Sequence, residues 1–306
     1  MNIMSKRYYF FAFSLVLIVA GAIVFAMNGL PLAIDFQGGT LLEMKFNSSN
    51  MPTTSEVIQI YAEHNANDPQ VQFSGNILLV RSDSLDTATQ DAIVSEMNTN
   101  YGGVTLELSG TVGPSISKEV TRSAVIAVFV ATIGIILYMT YAFRKLNHVI
   151  RYSIVTIIAM FHDIFIVLSL AAIGGKFFGW QVDSMFLTAL LTVIGFSVQD
   201  TIVVFDRIRE NSAFLRRIPF EQLVNHSVVQ TLPRSLNTTL MTFEFILLAL
   251  AMFGGITLRE FSIILLVGLL SGAYSSVCVA SPLLVVWENR EWKNWFKHSK
   301  PSEAVN

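Results

Sequence analysis

Long apolar runs without a charged residue constrain this chain more than any other feature. Three of them, Tyr8 to Ile34, Ser123 to Phe143 and Phe261 to Trp287, reach the length that a helix needs to cross a membrane. The hydrocarbon core of a bilayer requires about 20 apolar residues in a helix. Of the 306 residues, 53% are hydrophobic and 14% are charged, whereas soluble domains carry about 25% charged residues. We therefore predict a polytopic α-helical membrane protein.

Three further segments have the same apolar character, but each contains titratable residues. They are 152–175 with His162 and Asp163, 184–205 with Asp200, and 235–258 with Glu244. Together with the uncharged runs they predict six transmembrane helices. The first run follows Lys6 and Arg7 as a signal peptide would, but it is longer than the usual core of about 7–15 residues and lacks a small-residue cleavage site. We expect it to be a retained transmembrane helix.

Basic residues in the connections between the helices predict the orientation of the chain. One set of connections, which includes both termini, holds fourteen Lys and Arg residues, and the opposite set holds six. The positive-inside rule assigns the richer set to the cytoplasm. We therefore expect cytoplasmic termini, with segment 35–119 on the periplasmic side.

Segment 35–119 differs from the rest because short alternating and amphipathic stretches replace the continuous apolar runs, as expected at a domain boundary. The stretches "TLLEMKFN", "VQF", "ILLVR" and "VTLEL" predict strands, and 54–66 and 84–100 predict helices. Their order, β-α-β-β-α-β, predicts an α+β ferredoxin-like domain. No catalytic arrangement of side chains is visible in it, so we expect it to make interactions.

These patterns divide the chain into four parts. Residues 1–34 contain the N-terminus and the first helix, 35–119 the periplasmic domain, and 120–290 the five remaining helices. Residues 291–306 form a cytoplasmic tail. Within the third part, 207–232 combines arginines with spaced apolar residues, which predicts an amphipathic segment at the cytoplasmic interface.

Several function classes lack their sequence signatures. Neither GxxxxGK[ST] nor GxGxxG occurs, so the chain shows no motif for binding a nucleotide. No basic stretch with interleaved aromatic residues, of the kind that binds nucleic acid, is present. Cys278 is the single cysteine, which excludes an intramolecular disulfide. We predict no enzymatic activity, no cofactor and no metal site, and we expect the work of the protein to be powered from elsewhere.

Asp200 is an acidic residue inside an apolar helix. A carboxylate near the middle of a spanning helix costs about 2.5–3.5 kcal/mol on insertion scales, which makes it a functional candidate. Ser197, Thr201 and Val204 share its helical face and should direct a polar stripe into the bundle. Asp200 either gains and loses a proton or stays ionised beside an arginine to fix helix packing. Asp206 begins the basic segment "DRIRE" and is expected at the cytoplasmic interface.

Arg234 is the leading candidate for the cation beside Asp200. It follows Pro233 at the cytoplasmic entrance of the fifth predicted helix, and Asn237 or Thr238 continues along its face. The connection between the two helices should bring Arg234 to a depth similar to that of Asp200. An arginine whose long side chain extends to the interface is an equally weighted alternative.

Two more predicted helices contain titratable residues. His162 and Asp163 lie mid-span in the third helix and point in different directions. Asp163 acts either in a proton relay or in packing, and His162 is expected to be a hydrogen-bonded structural residue. Glu244 either extends the polar route toward the outside or, as we favour, stays protonated as a structural acid.

Five separated motifs run in a fixed order through nearly the whole chain. They are "AIDFQGGTLLE" at 33–43, "VGPSISKE" at 112–119, "HD" at 162–163, "SVQDTIVVFDRIREN" at 197–211 and "RSLNTT" at 234–239. In this order they resemble the SecF branch of the SecD/SecF family of protein-export membrane proteins. That family is similar to the resistance-nodulation-division transporters.

The resemblance implies a function and partners. It implies a subunit that pairs with SecD in the inner membrane and associates with the SecYEG translocon. Such a complex uses the proton-motive force to promote the translocation of unfolded polypeptide. YajC and YidC are further implied partners, and no nucleic acid is expected.

The resemblance also implies roles for individual residues. Asp200 matches the family's proton-carrying position, and Arg234 matches a position in the same pathway. The remaining candidates for this proton pathway are Asp163, Thr201, Asn237 and Thr238. The motif at the root of the external domain is matched by Asp35, Gly38 and Gly39, of which the glycines suit a tight junction. Glu244 departs from the family's pattern.

Two alternative functions stay open at this point. A proton-coupled small-molecule exporter of the same superfamily would use the same intramembrane acid, although such transporters are larger. A non-transporting scaffold of the translocon would tolerate the joint loss of the charges of Asp200 and Arg234. The sequence does not decide between a proton and a sodium ion as the coupling ion.

Overall fold

The computed structural model of the chain describes residues 2–47, 51–144, 149–215, 217–237 and 245–291. Its helices are α1 (Arg7–Asn28), α2 (Ile34–Gln37), α3 (Thr54–Glu63), α4 (Thr87–Tyr101), α5 (Pro114–Ala142), α6 (Val149–Phe178), α7 (Ser184–Phe214), α8 (Phe220–Ser235), α9 (Phe245–Phe253), α10 (Ile256–Ser275) and α11 (Ser281–Glu288). A 3-10 turn, Met4–Lys6, precedes α1, and a π-helical segment, Ser276–Ala280, joins α10 to α11. The strands are β1 (Gly39–Phe46), β2 (Gln70–Ser74), β3 (Ile77–Ser82) and β4 (Val104–Val112).

Five helices in the described part of the chain are long and apolar enough to cross a membrane. They are α1 with its 3-10 turn, α5, α6, α7, and α10 together with α11. The predicted fifth span, 235–258, includes residues 238–244, which lie outside the described residues together with Glu244. The count of six transmembrane helices therefore stays a prediction.

The first helix ends before its apolar run does. The run continues to Ile34, but α1 stops at Asn28 because Gly29 adopts a φ of 70° and closes the helix. The chain then extends, and Leu32 forms a parallel β-bridge with Val182. This bridge ties the segment between α1 and α2 to the segment that leads into α7.

The predicted amphipathic segment 207–232 is divided between two helices. The fourth span continues as α7 to Phe214, and α8 begins after Pro219, which occupies its N-cap. Helix α8 returns along α7, where Asn211 Nδ2 donates to Ser227 Oγ over 2.8 Å. A location at the membrane interface stays a prediction for this segment.

Strands β1 to β4 form a four-stranded antiparallel sheet with α3 and α4 packed on one face, and this unit is called the external domain below. The strands lie in the order β2-β3-β1-β4. Alternate residues of β1, namely Leu42, Met44 and Phe46, point into the core between sheet and helices. Helix α3 begins with a capping box in which Thr53 and Glu56 bind each other's backbone N–H groups. The chain leaves this domain at Val112 and enters α5 at Pro114.

Helix α10 packs tightly in the centre of the helix bundle through small residues. Gly268, Gly272 and Ser276 repeat every four residues, a spacing that permits close helix approach. A Cβ atom at Gly268 would lie 2.3 Å from Val193 Cγ2 of α7 and 3.2 Å from Val167 Cγ2 of α6. The three helices therefore meet with no room for a methyl group at this position.

We expect Gly268→Ala to destabilise the helix bundle by about 1–3 kcal/mol, because an added methyl overpacks the contact. Thermal unfolding of the detergent-solubilised protein measures the change. Gly195→Ala is the matched control, since no atom lies within 4 Å of a Cβ at that position on α7. Equal melting temperatures for the two variants would contradict the close approach of α10 to α7.

Candidate functional site

Asp163 is the most deeply buried acidic side chain in the described part of the chain. It lies near the middle of α6, and only 1% of it is exposed. Met160 and Val167, one turn before and one turn after it, are fully buried on the same helical face. The apolar face of α6 therefore carries Asp163 into the centre of the bundle.

Three serine hydroxyls from two neighbouring helices surround the Asp163 carboxylate. Ser197 of α7 donates to Oδ2 over 2.5 Å, and Ser275 of α10 donates to the same atom over 2.6 Å. Ser271 of α10 donates to Oδ1 over 2.6 Å. These hydrogen bonds join α6, α7 and α10 through one carboxyl group.

His162 completes the surroundings of Asp163. Its Nδ1 lies 3.0 Å from Asp163 Oδ1, so the Nδ1–H tautomer supplies a fourth donor to the carboxylate. The ring stacks against Tyr274 of α10, with the centroids 6.3 Å apart. Nε2 is buried and has no hydrogen-bond partner among the described residues. The expected hydrogen-bonded His162 is observed, with one ring nitrogen unused.

Close packing and an irregular helix hold the serines in place. A Cβ at Gly272 would lie 3.1 Å from the Cα of Ser197, so α10 and α7 touch beside Asp163. Directly after Ser275 the backbone changes from α-helix to the π-helical segment. Single π-helical turns occur frequently at functional sites. The Asp163 site thus lies where the helix geometry departs from the regular pattern.

Asp200 occupies the edge of the predicted polar stripe. Ser197, Thr201 and Val204 are at most 1% exposed, which confirms that this face of α7 points into the bundle. Asp200 itself is partly exposed. Thr201 donates from Oγ1 to the Ser197 carbonyl over 3.0 Å and stays within its own helix. Ser197 is therefore the member of this stripe that binds Asp163.

Arg234 lies exposed near the end of α8 and lines an open cavity of about 590 Å³. Asp206 and Gln230 line the same cavity, as does Ile202, which lies two residues from Asp200. Two residues correspond to about 3 Å along a helix axis. The cavity extends from Arg234 to within one turn of the level of Asp200.

The predicted proton pathway also includes Asn237 and Thr238. Asn237 is exposed just beyond α8, and Thr238 lies outside the described residues. Asp206 forms an ion pair with Arg209 on the same helix, as expected of a residue with local helical partners. Asp206 is therefore paired within its own helix and does not depend on Asp163 or Arg234 for a partner.

The two glycines of the external motif adopt backbone conformations that other residues avoid. Gly38 has a φ of 83° and caps α2, and Gly39 has a φ of 127° and begins β1. A Cβ at Gly39 would lie 2.4 Å from the carbonyl oxygen of Ser82 in β3. Gly39 therefore permits the start of β1 to lie close to β3 directly after α2.

Asp35 connects this motif to the helix bundle. Its Oδ2 accepts hydrogen bonds from the backbone N–H of Ser184 over 2.9 Å and from its hydroxyl over 2.5 Å. Asp183, the N-cap of α7, accepts from the backbone N–H of Phe186. Two carboxylates thus satisfy the N-terminus of α7, where the helix dipole favours negative charge.

Arg81 of β3 faces these carboxylates across the junction. Burial lowers the pKa of Arg81, and the nearby charges of Glu260, Asp183 and Asp35 oppose that shift. Burial raises the pKa of Asp183, and repulsion from Asp35 adds to this effect, whereas the attraction of Arg81 opposes it. Three acids therefore share one partly buried cation at this junction.

Glutamine side chains complete the contact between the external domain and the bundle. Gln72 of β2 donates from Nε2 to Glu260 Oε1 and to the carbonyl of Phe178, each over 3.2 Å. Gln181 donates to Gln70 Oε1 over 2.6 Å. Polar contacts thus join the sheet to the end of α6, to the start of α10 and to the segment before α7.

Sequence reasoning missed two of the three serines, Ser271 and Ser275, and it missed Arg81 in the junction cluster. Ser271 and Ser275 lie four residues apart in an apolar helix, and this one-face spacing was a usable signal. Nothing in the sequence around Arg81 distinguishes it from an exposed residue at the end of a strand. In the described part of the chain, no group of three or more His, Cys, Asp or Glu side chains is arranged to hold a metal ion.

Comparisons with protein families place these features in a known context. The family described as "Protein export membrane protein SecD/SecF, C-terminal" matches residues 93–290, and "SecD/SecF GG Motif" matches residues 23–49. The second range contains Gly38 and Gly39. Protein translocase subunit SecF of Anaerolinea thermophila is 55% identical over 307 residues, which cover 99% of this chain and 100% of that protein.

Longer relatives contain a region similar to this chain. Protein translocase subunit SecDF of Bacillus subtilis is 36% identical over 94% of this chain, which matches 38% of that protein. The crystal structure of SecDF from Thermus thermophilus, a translocon-associated membrane protein, superposes with a TM-score of 0.84 at 32% identity, over 95% of this chain and 39% of that one. Sequence, glycine motif and fold agree, and the chain belongs to the SecD/SecF family of protein export membrane proteins.

Proposed function

We propose that the chain is the SecF-type subunit of a SecD–SecF complex that uses the proton-motive force to promote protein translocation through the SecYEG translocon. The observation that carries this proposal is a carboxylate, Asp163, that is 1% exposed at the middle of a membrane-spanning helix. Intramembrane acids of this kind mark proton and ion pathways. Relatives named as translocase subunits supply the Sec-pathway context.

A separate SecD-type protein is the proposed partner. In the SecDF relatives, the region similar to this chain makes up 38% or 39% of one polypeptide. We infer that the rest of such a polypeptide corresponds to the partner. SecYEG, with YajC and YidC as further partners, and an unfolded polypeptide as substrate follow from the family resemblance.

The proposed setting is the inner membrane, with cytoplasmic termini and a periplasmic domain. The excess of Lys and Arg in the connections on the side of both termini supports this orientation. At that end Arg7 binds Glu221 over 3.1 Å and Glu291 over 2.8 Å. These ion pairs link the N-terminal helix to α8 and to the residues that follow α11.

The domain division at 35–119 and the ferredoxin-like assignment are part of the proposal. The succession β1-α3-β2-β3-α4-β4 and the strand order β2-β3-β1-β4 support the ferredoxin-like assignment. We infer that this domain moves with the helix bundle and holds or pulls the emerging polypeptide. Its polar contacts with the outer helix ends support such a coupling.

The proposed proton route involves Asp200, Arg234, Asp163, Thr201 and Asn237, together with Thr238. Proton entry from the periplasm neutralises Asp200, weakens its attraction to Arg234 and lets the halves of the bundle shift. Release to the cytoplasm restores the pair. The open cavity from Arg234 to Ile202 supports an aqueous route on the cytoplasmic side. One proton crossing the membrane supplies about 2.3 kcal/mol per 100 mV, enough to bias a two-state movement.

We expect Asp200→Asn to abolish the stimulation of export by the proton-motive force, because an amide cannot carry the proton. ATP-independent translocation into inverted membrane vesicles that contain SecYEG and the SecD-type partner measures this stimulation. Asp206→Asn is the matched control, since Asp206 pairs with Arg209 on its own helix, and we expect a much smaller loss.

Stimulated export by Asp200→Asn at the wild-type level would refute the proton route. The double variant Asp200→Asn/Arg234→Gln separates a motor from a scaffold. If the protein is a scaffold, the double variant keeps its function, because no unpaired charge is left buried. If the protein is a motor, stimulated export stays lost in the double variant.

A further inference from the structure

The donors around Asp163 fill the acceptor capacity of an ionised carboxylate. Oδ2 accepts from Ser197 and Ser275, and Oδ1 accepts from Ser271 and His162. A carboxylate offers about four acceptor positions. In the described part of the chain no Lys or Arg forms an ion pair with Asp163. Neutral hydroxyls and one imidazole therefore hold this carboxylate.

A protonated Asp163 needs a different arrangement, because its new O–H must donate to an acceptor. A serine hydroxyl can become that acceptor only if its own proton finds another oxygen. Ser275 meets this condition: its Oγ lies 2.6 Å from Asp163 Oδ2 and 3.1 Å from the carbonyl oxygen of Gly272. For Ser197 and Ser271, Asp163 is the one acceptor found among the described residues.

We propose that Asp163 is a proton-binding site and that Ser275 is the hydroxyl that adapts to its two protonation states. In the ionised state Ser275 donates to Oδ2. When a proton binds Oδ2, that proton is donated to Ser275 Oγ, and the Ser275 proton turns to the Gly272 carbonyl. The proposal rests on the proton-driven function proposed above, and it specifies how Asp163, a member of the proposed proton route, binds and releases a proton.

Turning the Ser275 hydroxyl changes the connection between α6 and α10. In the ionised state the bond from Ser275 is charge-assisted, and such bonds are roughly twice as strong as neutral ones. Proton binding replaces it with a neutral bond and gives α10 a hydrogen bond of its own at Gly272. Because the π-helical segment begins directly after Ser275, the change falls where the helix is already irregular. Proton binding thereby weakens the hydrogen bond that connects α6 to α10.

Other titratable groups lie near this site. They are His162 on α6, Asp200 on α7, and Tyr274 and Cys278 on α10 and the segment after it. His162 contacts Asp163 directly, and its Nε2 has no partner among the described residues. A pH profile alone would therefore mix several groups. A signal specific to a protonated carboxyl separates Asp163 from His162.

Infrared difference spectroscopy of the full chain, between acidic and neutral buffer, supplies this signal. We expect the carbonyl band of a buried carboxylic acid in the wild type and the loss of the Asp163 part of that band in Asp163→Asn. Ser275→Ala should shift that band, since the acid then lacks its hydroxyl partner. Ser276→Ala is the matched control: Ser276 is equally buried, but its hydroxyl donates to the Ala273 carbonyl. The control should leave the band unchanged.

Export by vesicles under a proton-motive force is the second readout. We expect about tenfold slower stimulated export for Ser275→Ala, the effect of losing one hydrogen bond to a charged group, and wild-type export for Ser276→Ala. A wild type whose export ignores the proton-motive force defeats the proposed function, whatever the spectra show. If wild-type export responds to the proton-motive force but Ser275→Ala shows an unshifted band and normal export, the proposed role of Ser275 alone is refuted. Asp163→Asn spectra that keep the whole band defeat the proton-binding site.

Discussion

Replacing Gly39 with alanine is expected to destabilise the external domain by about 3 kcal/mol or more. At a φ of 127°, Gly39 occupies backbone space that is essentially reserved for glycine. The added Cβ would also lie 2.4 Å from the Ser82 carbonyl oxygen, a backbone atom of the paired strand that cannot turn away. Relief of the clash requires β1 to separate from β3 where Thr40 pairs with Ser82. We expect the start of the sheet to open.

Protease cleavage of the external domain in the detergent-solubilised protein measures this opening. Gly38→Ala should have an intermediate effect, since φ is 83° but the nearest atom to its Cβ, the Val112 oxygen, lies 3.3 Å away. Gly110→Ala in β4 is the control, because no atom lies within 4 Å of its Cβ. Cleavage of Gly39→Ala at the same rate as Gly110→Ala would contradict the tight junction.

Much of the fold could be predicted because local patterns determine it. Uncharged apolar runs predict spanning helices, and alternating residues predict strands, without knowledge of distant contacts. The helix ends were harder to predict. Hydropathy runs to Ile34, but the positive φ of Gly29 ends α1 at Asn28. Likewise, hydropathy does not predict that α7 ends at Phe214 and that α8 begins after Pro219.

The candidate site was predicted only in part, because its partners are distant in the chain. Asp163 stood out as a titratable residue in an apolar helix. Its hydrogen-bond partner Ser271 lies 108 residues away, and only the close packing at Gly268 and Gly272 brings α10 to it. A buried serine in a helix looks the same in sequence whether it binds a carboxylate or its own backbone, as Ser275 and Ser276 show.

Arg81→Gln is expected to weaken the contact between the external domain and the helix bundle at neutral pH by about 3 kcal/mol. Arg81 is the cation that faces Asp35, Asp183 and Glu260. Removing this cation leaves the negative charges of the nearby carboxylates uncompensated, which costs about 3–5 kcal/mol where the two charges are paired directly and buried. The value here falls at the lower limit because Arg81 is only partly buried.

The loss should depend on pH with a definite sign. Burial already raises the pKa of Asp183, and Arg81 opposes that shift, so Arg81→Gln raises this pKa further. An acid with a raised pKa in the folded state destabilises that state above the folded pKa. The penalty disappears as the pH falls through the folded pKa toward the unfolded value of about 3.9. The free energy of unfolding of the variant should therefore be reduced at neutral pH and should return toward the wild-type value in mildly acidic buffer.

Urea unfolding of the detergent-solubilised protein, followed at both pH values, tests this expectation. Arg259→Gln is the matched control, because it removes the same charge from the exposed residue next to Glu260 at the start of α10. The control should unfold as the wild type does at either pH. Acidification neutralises the carboxylates that Arg81 attracts. The difference in unfolding free energy between Arg81→Gln and the control must therefore become smaller in acid. A gap of equal size at both pH values would mean that Arg81 acts through packing and not through its charge.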